Sequence, residues 1–164
     1  MPDYVGTVLF AGNIAYCVAA LLSGWLTDAV KRPAVIAFAG LCFIAVGMYM
    51  FGPVGPPFPV QSEIMFVGVT IAFWGAGLVI VPALPYVVHC AGANNAECVS
   101  ALYCACTEIG AIIGHIVSTQ VSEAFSVQIA MASWALAAVL LALCSAFISI
   151  ATASWTGLKA FHAE

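Results

Sequence analysis

The chain has 164 residues, 65% of them hydrophobic and 6% charged, with a formal net charge of −4 and a mean hydropathy of +1.15. Soluble domains are about 45–50% apolar and about 25% charged, so three basic and seven acidic side chains cannot cover a water-soluble fold. Composition excludes a soluble enzyme, and the scattered acids offer no face to nucleic acid; the solvent is a lipid bilayer.

Five apolar segments lie at about residues 4–26, 33–51, 64–88, 98–120 and 129–153. A spanning helix needs roughly 20 apolar residues to cross a hydrocarbon core of about 30 Å. Backbone groups in lipid must pair within their own segment, so each run is predicted to be a helix. A membrane barrel would show alternation over strands of about ten residues, whereas these runs are continuous. The expected fold class is an all-α membrane protein of about five transmembrane helices. They form one transmembrane region over 1–164, with no room for a soluble catalytic domain.

In the first segment Cys17, Asn13, Ala20 and Gly24 lie within about 40° of Gly6 around a helix. This small-residue stripe is expected to pack on another helix. Asn13 either lines a solute path or makes an interhelical hydrogen bond. The segment runs into Gly24-Trp25-Leu26-Thr27-Asp28-Ala29-Val30-Lys31-Arg32. Pro33 opens the second segment. It and the fifth hold almost no polar interior residues, so both are expected at the periphery, facing lipid. A Pro/Gly-rich loop follows at 52–62. In the third segment Gly75 and Gly77 soften the helix, while Pro82 and Pro85 remove backbone donors. The freed carbonyls either permit a kink or bind a cation. Trp74 and Tyr86 either contact an amine by cation–π attraction or pack as aromatics.

The fourth segment, after the polar loop 89–97, carries the chemistry. Ser100, Cys104, Thr107, Glu108, Ala111, His115 and Ser118 fall in a stripe about 100° wide, while Ile109, Ile112 and Ile113 lie outside it. Such a stripe should face other helices or an aqueous cavity. Glu108 is the acid deep inside a span. A carboxylate at mid-bilayer costs about 2.5–3.5 kcal/mol on insertion scales, so it is protonated, paired or in water. It is either a proton-coupling or cation-recognising group or a packing hydrogen bond. His115, two turns on, either shares its proton or is an interfacial polar group. Gly110 and Gly114 form a Gly-x-x-x-Gly helix-packing step.

Lys31, Arg32 and Lys159 all fall on one side of a five-crossing chain, the side that positive charge makes cytoplasmic, together with the C-terminus. Trp25 and Trp155 sit at predicted interfaces. The N-terminus has no basic stretch before its apolar run, so no cleaved signal peptide is expected. Cys17, Cys42, Cys104, Cys106 and Cys144 lie in apolar runs as small hydrophobes. Cys90 and Cys98 flank a loop without zinc spacing, so neither metal nor cofactor is expected.

The Gly24-x-Leu26-x-Asp28 spacing followed by Lys31 and Arg32 resembles the loop signature of the major facilitator superfamily. Gly24 suits close helix approach, Asp28 accepts hydrogen bonds or an arginine, and the basic pair holds the loop at an anionic surface. The order of features resembles helices eight to twelve, the C-terminal half of that twelve-helix fold. The stretch from Val81-Pro82-Ala83-Leu84-Pro85-Tyr86 through Val99-Ser100-Ala101-Leu102-Tyr103 to Gly114 is similar to the vesicular amine and polyamine transporter branch. The resemblance implies a fragment of a secondary active antiporter working by alternating access. Its partners would be a small organic amine or polyamine, protons, the bilayer and a missing N-terminal helical bundle. It places Cys104 at the eleventh-helix position that carries a coupling acid in monoamine members, one turn from Glu108. The membrane is expected to be a vesicle, endomembrane or plasma membrane. No Ser/His/Asp or Cys/His set and no phosphate loop points to an enzyme. The alternative is a non-transporting multi-span scaffold.

Overall fold

The computed structural model describes residues 2–30, 33–51, 62–91 and 95–161. They form five helices: α1 (Pro2–Val30), α2 (Pro33–Phe51), α3 (Ser62–Ala91), α4 (Ala96–Ala124) and α5 (Val127–Phe161). All five are long and apolar enough to cross a membrane, over Gly6–Val30, Pro33–Phe51, Glu63–Val88, Ala96–Ala124 and Val127–Phe147. Among the described residues there is no strand. Pro33 stands at the first position of α2, where its missing N–H costs nothing.

α3 is the hub. It packs most extensively on α2 and next on α1, and α2 also packs on α5. α4 touches α5 and α3 lightly, and the consecutive helices α1 and α2 barely meet. Lipid tails are as apolar as leucine, so helices associate through close van der Waals contact at small residues. The core fits that rule: Ala15, Ala19, Ala45, Ala72, Ala130, Ala135, Ala138 and Ala142 are buried. At the α2–α3 seam the backbones nearly touch. A Cβ on Gly75 would lie 2.5 Å from the carbonyl oxygen of Gly40, and one on Gly40 would lie 2.8 Å from that of Gly75.

Two expectations about faces are corrected here. α2, predicted to be peripheral, is deeply engaged: Ile36, Gly40, Ala45 and Gly47 are buried, and only its other face (Val35, Phe38, Phe43, Val46) is exposed. α5 likewise buries an alanine row and exposes Leu136, Leu140, Leu141 and Phe147. A lack of polar residues does not send a helix outward in lipid, because small apolar residues are themselves the packing chemistry. In α1 the buried positions are Val8, Gly12, Ala15, Ala19 and Ser23, whereas Gly6, Asn13 and Cys17 are exposed. The packing face is thus turned away from the stripe that residue size alone suggested.

Ser23 is fully buried. Its hydroxyl lies 3.1 Å from the carbonyl of Ala20 and 3.3 Å from that of Gly77 on α3. Ser23→Ala removes this hydrogen bond between α1 and α3 and is expected to cost about 0.6 kcal/mol, the average for interhelical hydrogen bonds in a membrane protein. The midpoint of unfolding in mixed detergent micelles measures this.

Candidate functional site

No residue of α4 is buried. Its half-buried positions, among them Ala96, Ser100, Tyr103, Gly114, Ser118 and Val121, share one face. Two side-chain bonds fix that face. The Tyr103 hydroxyl donates to the carbonyl of Ile80 on α3 at 3.0 Å, and Nε1 of Trp134 on α5 donates to the Ser118 hydroxyl at 2.6 Å. The polar stripe straddles the edge of this contact face. Ser100 and Ser118 lie on its packed side, while Cys104, Thr107, Glu108 and His115 are exposed on the open side. Thr107 spends its proton inside the helix, on the carbonyl of Tyr103 at 2.8 Å. Among the described residues, no helix covers this open side.

The other candidates lie elsewhere. Asn13 is exposed and donates to the Leu9 carbonyl of its own helix at 2.8 Å. It borders a groove of about 400 Å³ with Tyr16, Met48 and Phe73. Trp74 borders a second groove of about 380 Å³ with Phe43, Thr70 and Ile71. Tyr86 borders a third, of about 230 Å³, with Pro33, Ala37, Pro82 and Ser145. These grooves are separate, and Glu108 lines none of the three. The structure therefore brings Cys104, Thr107, Glu108 and His115 onto one helix face and leaves Asn13, Trp74 and Tyr86 apart from it.

Asp28 is exposed in the last turn of α1, and a Cβ on Gly24 would meet nothing within 4 Å. Lys31 and Arg32, the basic end of the loop motif, lie outside the described residues. Gly110 also has nothing within 4 Å, and Gly114 meets only the Trp134 ring, at 3.8 Å. Gly110→Ala is therefore expected to leave the stability of this chain unchanged or raise it by about 0.5–1 kcal/mol through loss of helix-interior glycine, as a thermal melt in detergent will show. Sequence reasoning did not single out Ser23, the Tyr103 hydroxyl or Trp134. Their signal was weak, because each role depends on a partner from another helix.

No family model and no solved structure matches the chain. Among curated proteins it is similar to the MFS-type transporter SLC18B1 of Homo sapiens, at 33% identity over 125 residues, covering 68% of this chain and 26% of that protein. The Mus musculus relative is 32% identical, with 69% of this chain and 27% of that protein covered. The Rattus norvegicus relative is 31% identical, with the same two shares. The match thus spans little more than a quarter of these relatives' length. With its five membrane-spanning helices and this likeness, the chain is an integral multi-pass membrane protein homologous to part of a major facilitator transporter.

Proposed function

We propose that this chain supplies helices eight to twelve, the C-terminal half, of a twelve-helix secondary active transporter that exchanges protons for a small organic amine or polyamine. The observation that carries the reading is the open side of α4, where Glu108, Thr107, Cys104 and His115 stand exposed with no covering helix among the described residues. A carboxylate facing acyl chains costs several kcal/mol, about 2.5–3.5 on insertion scales. Such a face favours water or a further bundle against it, where the carboxylate can be charged. The likeness to MFS-type transporters along part of their length supports the second bundle. Alternating access then follows: two bundles rock about a midplane site, and Glu108 gains and loses its proton as the face opens to each side. The positive charges of Lys31, Arg32 and Lys159, all on one side of a five-crossing chain, support a cytoplasmic C-terminus.

Two measurements test this. The reading frame upstream of Met1 is expected to encode about seven further spans, enough to complete a twelve-helix facilitator. The whole frame in proteoliposomes is expected to take up labelled amine or polyamine when a pH gradient is imposed, and residues 1–164 alone are not. Uptake by 1–164 alone, or an upstream frame without spans, contradicts the reading and favours a self-contained membrane module.

A further inference from the structure

α3 stays helical through Pro82 and Pro85. Proline has no N–H, so the carbonyls one turn earlier, on Leu78 and Val81, lose their intrahelical donor. This stretch is the weakest rung of α3, and two neighbouring helices grip it. Ser23 on α1 donates to the carbonyl of Gly77 at 3.3 Å, and Tyr103 on α4 donates to that of Ile80 at 3.0 Å. Tyr103 is half-buried, while its neighbours Leu102 and Cys104 are exposed. The rest of the α3–α4 contact is slight, so this one hydroxyl carries much of it.

The helix period sets what the bond does to Glu108. Residues five apart point about 140° away from each other and lie about 7.5 Å apart along the axis. With Tyr103 fastened to α3, Glu108 is held on the open side of α4.

We infer that Tyr103 is a positioning residue whose hydroxyl latches the Glu108-bearing helix to the proline-interrupted part of α3 and, together with the Trp134–Ser118 bond to α5, holds α4 against rolling about its axis. What Glu108 does once positioned rests on the function proposed above, but the latch does not.

Tyr103→Phe removes the hydroxyl and keeps the ring. In the detergent-solubilised chain, amide hydrogen exchange read by mass spectrometry is expected to rise about threefold over residues 83–88 and 100–110, the weight of an average interhelical hydrogen bond in a membrane protein. Exchange in α2 is expected to stay as it was. In membranes, the ratio of Cys104 to Cys106 alkylation by a hydrophilic maleimide is expected to change, because these thiols point about 160° apart and a rolling helix averages them. A residue that only stabilises the fold would raise exchange and leave that ratio untouched. An unchanged ratio, unchanged exchange, or an equal rise in α2 overturns the inference. Neither readout needs a transported solute, so failure of the latch and failure of the transport reading are distinguishable.

Discussion

Glu108→Gln, made in the complete reading frame, is expected to lower uptake driven by a pH gradient at least about tenfold, or 1.36 kcal/mol of coupling, with expression and detergent stability retained. Glutamine keeps the size and a hydrogen-bonding carbonyl oxygen but cannot bind and release a proton. Two observations make the change specific. Glu108 is exposed in the five-helix unit, so no neighbour here depends on it for packing. It also shares its face with Cys104 and His115, and the other carboxylate at that angle, Glu97 in the first turn of α4, lies eleven residues away, about 16 Å along the axis, too far to substitute for it. Solute-for-solute exchange without a gradient is expected to survive better than net uptake, since exchange needs no net proton movement. Full uptake by the glutamine variant would return Glu108 to the role of a packing residue.

The second large effect concerns the seam that holds the fold. A Cβ on Gly47 would collide with the backbone nitrogen of Ala72, and it would lie 2.5 Å from the carbonyl oxygen of Gly68 and 2.8 Å from the Cα of Ala72. These are backbone atoms of the opposing helix, so no rotamer change relieves the overlap. Gly47→Leu must push α2 off α3, and α3 is the hub on which α1 also rests. The expected cost is at least about 3 kcal/mol, the upper end of overpacking penalties in a well-packed core. Size-exclusion chromatography of the solubilised chain should show loss of the monodisperse peak. Gly110→Leu is the control: nothing lies within 4 Å of that position, and the same enlargement there is expected to leave the peak in place.

The contrast between these two glycines shows how far the sequence could be read. Five runs of oily residues sufficed to place five helices, because in lipid a chain must satisfy its backbone internally. The polar stripe of α4 was equally legible, since 3.6 residues per turn gather Cys104, Thr107, Glu108 and His115 without any partner. Which faces meet was not. Gly110 and Gly114 have the spacing of a close-packed step, yet the contacts form at Gly40 with Gly75 and at Gly47 with Gly68. Packing in lipid is a property of two surfaces, and one sequence pattern states only one of them. Trp74, Tyr86 and Asn13 illustrate the same limit. Each is a plausible ligand group on its own helix, and the tertiary arrangement sends them to three different grooves.

The central claim is that the Glu108 face of α4 meets water or another bundle and not acyl chains. Two native thiols on that helix test it directly. Cys104 lies on the polar face, and Cys106 points about 160° away from it. Both are free and exposed in the five-helix chain. Thiols react with maleimides as thiolates, which form only where water reaches them. In native membranes, a hydrophilic maleimide read out by mass spectrometry is expected to modify Cys104 much faster than Cys106. Modification of Cys106 with Cys104 protected would place acyl chains against Glu108 and contradict the account.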